Sequence, residues 1–171
     1  MTEQQLYLFD FLYLVLTTTV AVLTRAPSRR IVGAFAGATA CGPAGLGIVV
    51  FAERAGWWHF AITWKPNVLA LMWIGVALWA FVFLLTWRIA RRFGDRGLAV
   101  LLVTIAVLGP LRDSWFMKRF PEWGYYAPGI VPMLAISGAY VLLAIIGHGT
   151  MRLVAGPAAA DTLANWPWKR A

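Results

Sequence analysis

Apolar residues in this chain come in five long blocks, which short charged or aromatic breaks separate. A helix that crosses the hydrocarbon core of a bilayer needs about 20 mostly apolar residues, and several of the blocks reach that length. The pattern predicts an all-α integral membrane protein, a single domain over residues 1–171 formed by a bundle of about five transmembrane helices. The predicted spans are 6–24, 31–52, 68–87, 97–111 and 129–147, and residues 151–171 form a short tail.

The basic residues predict how the bundle is oriented, because cytoplasmic loops carry an excess of Lys and Arg. The breaks that would share one face of the membrane hold about twice as many of them as the opposite face. We therefore expect the N-terminus outside and the C-terminus in the cytoplasm. The expected cytoplasmic residues are Arg25, Arg29, Arg30, Arg88, Arg91, Arg92, Arg96, Arg152, Lys169 and Arg170, and the expected outer ones are Arg54, Lys65, Arg112, Lys118 and Arg119.

Composition narrows the class of protein and its partners. Hydrophobic residues make up 61% of the chain, and the formal net charge is +8. Basic residues at helix ends face anionic lipid, so the charge indicates membrane lipids and not nucleic acid as partners. A homo-oligomer or another membrane protein is the alternative partner, and no cofactor is predicted. Short loops and an excess of Arg over Lys favour a bacterial inner membrane.

The second block carries a stripe of small residues. Gly33, Gly37, Cys41 and Gly45 are spaced four apart, so they share one face of a helix. Small residues let two transmembrane helices approach closely. The stripe therefore predicts a tight helix contact, made either with another span of this chain or with a second copy.

Charged residues gather at the predicted outer edge of the bundle. Asp10 lies early in the first span, Glu53 ends the second, and Arg112 and Asp113 end the fourth. A charge within the hydrocarbon edge needs a partner, and for Arg112 the candidates are Asp113 and Asp10. The outer loops add His59, Glu122, Lys118 and Arg119, together with aromatic residues that include Trp57 and Trp58.

These residues could form a site or could simply end the spans. As a site, the carboxylates of Asp113, Glu53 and Glu122 could carry out acid–base chemistry on a lipid or an isoprenoid. Arg112 could bind an anionic headgroup, with the other binding candidates Asp10, His59, Trp57 and Trp58 around it. A metal site is not predicted, because only one histidine lies on this side. If they form no site, the charged residues simply end the membrane spans, and the aromatic rings form a belt at the membrane interface.

Three functions fit the sequence, which contains no catalytic motif. The first is a non-catalytic membrane subunit, an assembly protein or a partner-binding protein, and the absence of a motif favours it. The second is a membrane enzyme or lipid-binding protein that acts at the outer face through the Asp, Glu and Arg cluster. The third is a small oligomeric transporter, for which the inner half of the bundle offers few polar residues.

Overall fold

A computed structural model describes residues 3–60, 67–121 and 124–161, which fold mainly as α-helices. The helices are α1 Glu3–Leu23, α2 Ser28–Arg54, α3 Asn67–Arg119 and α4 Ile130–Ala155. Two strands, β1 Trp58–Phe60 and β2 Gly124–Tyr126, pair antiparallel, and a short 3-10 helix, Ala158–Ala160, follows α4.

The described helices include three segments that are long and apolar enough to cross a membrane. These are Ser28–Arg54, Gly75–Arg119 and Ile130–Ala155, and α1 contains a shorter apolar segment, Tyr7–Leu23. Large apolar side chains such as Leu134 and Leu153 are exposed on the outside of the bundle, which suits contact with lipid tails. The chain is therefore a mainly helical protein with segments able to span a membrane, as the sequence predicts.

Helix α3 folds back on itself at Gly94, the one residue inside it with non-helical backbone angles (φ 60°, ψ −149°). Tyr140 contacts both Trp79 and Arg112. A straight helix would hold Trp79 and Arg112 about 50 Å apart, so the chain must reverse between them. The first arm of α3 is 67–93 and the second arm is 95–119. The sequence predicts a turn over 88–96, whereas one glycine at positive φ is sufficient because it has no Cβ to clash.

Helix α2 packs against α4 and the first arm of α3, and its small-residue stripe faces α4. A Cβ added at Gly37 would lie 2.4 Å from the carbonyl oxygen of Gly147. A Cβ added at Gly33 would lie 2.8 Å from the Cβ of Ala155. The Cys41 thiol donates a hydrogen bond to the Leu143 carbonyl (3.1 Å). The stripe thus contacts a helix of the same chain, while Gly45 makes only an ordinary contact with α4, about 4.0 Å from Leu143.

The start of the predicted tail is packed into the bundle. Asp161 is 3% exposed and accepts hydrogen bonds from Arg30 Nε (2.6 Å), from Arg29 and from Trp87 Nε1 (2.7 Å). Arg30 is 1% exposed and also donates to the carbonyls of Gly156 and Pro157. Burial alone would raise the pKa of the Asp161 carboxyl, but these hydrogen bonds and the charge of Arg30 hold it below its usual range. From the sequence, Arg29 and Arg30 are expected only to face lipid headgroups, so the sequence does not predict this buried cluster.

Candidate functional site

A cavity of about 380 Å³ lies among α2, both arms of α3 and α4. It extends along α2 from Ala38 to Glu53, a distance of about 22 Å on a helix. Its wall is almost entirely apolar, and its polar side chains gather where α2 ends. The lining residues are Ala38, Cys41, Gly42, Gly45, Leu46, Ile48, Val49, Glu53, Trp58, Phe60, Gly75, Val76, Leu78, Trp79, Asp113, Tyr126, Ile136, Ala139, Tyr140 and Leu143. We refer to it as the bundle cavity.

Two carboxylates, Glu53 and Asp113, line the same end of the bundle cavity, which we call the carboxylate end. They come from helix segments that are far apart in the sequence. Glu53 lies in the last turn of α2, and Asp113 lies in the second arm of α3, which the reversal at Gly94 returns to this level. The fold therefore brings together two of the three carboxylates that the sequence offers as catalytic candidates.

Asp113 is held by a closed network of hydrogen bonds. Arg112 donates to its Oδ1 from Nε (2.9 Å) and Nη2 (2.6 Å). The Tyr140 hydroxyl accepts a hydrogen bond from Arg112 Nη2 and donates to Asp113 Oδ2, both at 2.7 Å. Tyr126 also reaches Oδ2, at 3.5 Å. Because its donors come from α3, α4 and β2, Asp113 is fixed from three sides.

Tyr126 remains a protonated donor in this network. Burial, followed by the negative charge of Asp113, raises the pKa of its phenol above the usual range despite the nearby Arg112. A neutral tyrosine hydroxyl can donate its one proton to Asp113 and still accept a hydrogen bond. Its nearest acceptor among the described residues is Asp113 Oδ2, at the long distance of 3.5 Å.

Glu53 has fewer partners than Asp113. Its Oε1 accepts a long hydrogen bond from the Phe60 backbone N–H (3.3 Å) and lies 3.6 Å from His59 Nδ1. No described residue donates to its second oxygen, Oε2. Glu53 is 24% exposed, so its carboxylate lies between the cavity and the outside. Among the described residues, Glu53 is therefore the carboxylate of the cavity with an unused acceptor.

The two paired strands cover the carboxylate end. Trp58, Phe60 and Tyr126 point into the bundle and line the cavity, whereas His59 and Tyr125 point away from it. This alternation is the ordinary consequence of side chains pointing to opposite faces along a strand. The pairing joins Trp58 to Tyr126 and Phe60 to Gly124, and it adds a small β element that the all-α prediction does not contain.

The remaining predicted site residues that the structure describes do not line the cavity. Arg112 binds Asp113 and Tyr140 and is 51% exposed. Of the two partners expected for Arg112, the structure places Asp113 against it (2.6 Å), while Asp10 Oδ1 is buried without a hydrogen-bond partner among the described residues. Trp57 packs edge-on against Phe51. Glu122 lies outside the described residues.

Sequence reasoning missed the tyrosine that organises the site. Tyr140 lies in the middle of an apolar span, where the sequence does not distinguish it from the other large side chains. A hydroxyl buried within a transmembrane helix needs a partner, and this requirement was the available signal. Trp79, which lines the cavity and packs on Tyr140 (5.9 Å between ring centroids), is likewise not distinguished by the sequence, because large aromatic side chains are common in spans.

Gly124 is required where the strands meet. Its φ is 143°, and an added Cβ would lie 2.1 Å from the His59 carbonyl oxygen. We expect Gly124→Ala to separate the strands at a cost of about 1–3 kcal/mol, which should accelerate amide exchange in residues 58–60 and 124–127 about tenfold. Hydrogen–deuterium exchange measures this effect. Gly56→Ala is the matched control, since its φ is also positive (69°) but nothing lies within 4 Å; equal acceleration there would mean that strain, not contact, is responsible.

In comparisons with known proteins, no family model matches the chain, and neither a curated protein nor a solved structure matches it. Within residues 3–60, 67–121 and 124–161, no group of three or more His, Cys, Asp or Glu side chains is arranged to hold a metal ion. The function must therefore be argued from the bundle cavity and its carboxylate end.

Proposed function

We propose that this chain is a multi-pass membrane protein that binds one lipid-like molecule in the bundle cavity. The observation that carries the proposal is an apolar cavity, within the usual size range of ligand sites, whose few polar groups gather at one end. A molecule with a long apolar body and a single polar head matches that distribution. Its body would lie along the wall formed by α2 and α4, and its head would lie near Glu53 and Asp113.

The lipid-binding function replaces the non-catalytic subunit that the sequence alone favours. The reason is the convergence of Glu53 and Asp113 on one cavity, because charged residues that merely ended the spans would have no reason to share one. A catalytic form of the same function would use Glu53, which has a free oxygen, ahead of Asp113, which several donors occupy.

The membrane arrangement that goes with this function has five crossings. The two arms of α3 would each cross once, and α1, α2 and α4 would supply the other three. The arginine excess at the other end favours the cytoplasm for that side, which would place the carboxylate end and the N-terminus outside. A bacterial inner membrane remains our expectation for the location, on the same compositional grounds.

Filling the bundle cavity is the direct test. Gly75 lines it, and a Cβ added there would meet nothing within 4 Å, so Gly75→Leu should place a side chain in the cavity without displacing the backbone. We expect at least a tenfold loss of lipid binding with the thermal unfolding temperature unchanged or raised. Three long-chain lipids brominated on their chains, one each with a hydroxyl, a carboxylate or a phosphate head, provide the probes. Binding is measured as quenching of the fluorescence of Trp58 and Trp79.

The signal is isolated by subtracting the quenching that persists in a Trp58→Phe/Trp79→Phe double variant, which removes the two cavity tryptophans. Gly138→Leu is the control for Gly75→Leu, because Gly138 also has open space around it but does not line the cavity. The proposed function requires that at least one probe quenches the native protein and Gly138→Leu, but not Gly75→Leu. Failure of all three probes to quench the cavity tryptophans would refute it.

A further inference from the structure

The polar groups at the carboxylate end are unequal in what they can offer a ligand. The hydroxyl protons of Tyr126 and Tyr140 are both directed to Asp113. The indole N–H of Trp58 is directed to the Val49 carbonyl (3.4 Å), and the thiol of Cys41 to the Leu143 carbonyl (3.1 Å). Of the side-chain donors that line the cavity within the described residues, the Trp79 indole N–H is the one without an acceptor, and its ring packs on Phe83 and Tyr140.

The other groups that remain are acceptors. Glu53 Oε2 has no donor among the described residues, and the carboxylate oxygens and the tyrosine oxygens retain lone pairs. A ligand head that can only accept hydrogen bonds, such as a phosphate or a carboxylate, would find one neutral donor at most, the Trp79 indole N–H, and would meet the negative charges of Glu53 and Asp113. An unpaired polar group in an apolar setting is costly, so such a head is disfavoured twice.

The positive charge nearest to the site does not change this conclusion. Arg112 does not line the cavity, and its Nε and Nη2 are directed to Asp113 and Tyr140. Its third nitrogen, Nη1, has no acceptor among the described residues, but the side chain is 51% exposed and lies outside the cavity lining, so that nitrogen does not serve a head held inside the cavity. The arginine that the sequence offers as a headgroup-binding residue therefore acts instead as the partner that keeps Asp113 in place.

We infer that the head of the bound molecule is a hydroxyl group that donates its proton to Glu53, so that the ligand class is a long-chain or isoprenoid alcohol. This inference rests on the proposed lipid-binding function. A hydroxyl is preferred over a charged amine because Asp113 is already paired with Arg112, which leaves an ammonium only Glu53, and because a cation loses far more hydration in an apolar cavity than a neutral hydroxyl does. The hydroxyl oxygen remains free to accept from water at the partly exposed side of Glu53.

The three brominated probes separate this inference from the proposed function. The alcohol should quench Trp58 and Trp79 at concentrations at least tenfold lower than the matching fatty acid or alkyl phosphate. If the acid or the phosphate quenches as strongly as the alcohol, the cavity binds lipid but the inferred head group is wrong. If none of the three quenches, the proposed function fails as well.

Glu53→Gln tests the acceptor itself. The amide keeps the shape of the side chain and can still accept from Phe60, but it adds an N–H donor and removes the charge. We expect binding of the alcohol to weaken about tenfold and binding of the fatty acid to strengthen, which reverses or abolishes the preference. Asp10→Asn is the control, since Asp10 is a partly buried carboxylate that does not line the cavity, and its preference should be unchanged. If Glu53→Gln keeps the native preference for the alcohol over the fatty acid, the inference is overturned. If a variant fails to fold, the preference measured on the native protein still tests the inference.

Discussion

Replacing Asp161 with alanine is expected to lower the free energy of unfolding by about 3–5 kcal/mol, the usual cost of removing one partner of a buried ion pair. Arg30, which is 1% exposed, would keep its charge and its contacts with the carbonyls of Gly156 and Pro157 but would lose the carboxylate. Trp87 would lose the acceptor of its indole N–H. Chemical unfolding in mixed micelles measures the effect.

Two further variants show whether the loss comes from the unpaired charge. Asp95→Ala changes an exposed aspartate near the reversal of α3 and should change stability by no more than about 0.5 kcal/mol. Asp161→Ala combined with Arg30→Met removes both charges, and it should recover much of the loss because an apolar pair often matches a buried ion pair in stability. If Asp161→Ala unfolds like the native protein, the buried cluster does not hold the tail to the bundle.

The same cluster makes stability depend on pH in a defined direction. The pKa of Asp161 is lower in the folded protein than in the unfolded chain, so its contribution is fully present above about pH 4, the pKa of an unfolded aspartate. That contribution is lost as the pH falls through the lower pKa of the folded state. Unfolding experiments between pH 7 and pH 3 should therefore show the native protein converging on Asp161→Ala as the solution becomes more acidic.

The features that the sequence predicts are those that depend on local spacing. Apolar blocks of the right length mark the helices, and small residues four apart mark the face of α2 that meets α4. The ends of the helices are less well predicted, because α2 and α4 extend beyond the apolar blocks by several charged or small residues. The predicted turn over 88–96 is too long for a similar reason, since charged residues such as Arg91 and Arg92 are compatible with a helix and only Gly94 leaves it.

The features that the sequence does not predict depend on contacts between distant residues. Asp161 and Arg30 meet only because the chain after α4 returns to the start of α2, and neither residue type signals a partner at that separation. The bundle cavity is likewise formed by residues such as Gly75 and Ala139, whose small size is uninformative in an apolar span. The sequence names Glu53 and Asp113 as candidates, but it does not show that they differ in their hydrogen bonds. That difference arises because the hydroxyl groups of Tyr126 and Tyr140 both point to Asp113.

Gly37→Ala is expected to disrupt the packing of α2 on α4, with a loss of about 1–3 kcal/mol in the free energy of unfolding or more. The added Cβ would lie 2.4 Å from the Gly147 carbonyl oxygen and 3.1 Å from its carbonyl carbon, so the obstacle is backbone. The helices must move apart, which loosens the core around Ala38 and Phe83. Gly47→Ala in the same helix meets nothing within 4 Å and should be neutral or stabilising, by up to about 1 kcal/mol.

A second glycine at the same contact separates backbone obstruction from side-chain crowding. A Cβ at Gly147 would lie 1.8 Å from Cζ of Phe83, so Gly147→Ala should be as harmful as Gly37→Ala, but for a different reason. Phe83→Leu removes the ring that crowds Gly147 but leaves the Gly147 carbonyl that obstructs Gly37. We therefore expect Phe83→Leu to rescue part of the loss in Gly147→Ala, as a favourable coupling in a double-mutant cycle, and not in Gly37→Ala. Equal rescue of both variants would mean that side chains, and not the close approach of the two backbones, limit how near α2 and α4 can pack.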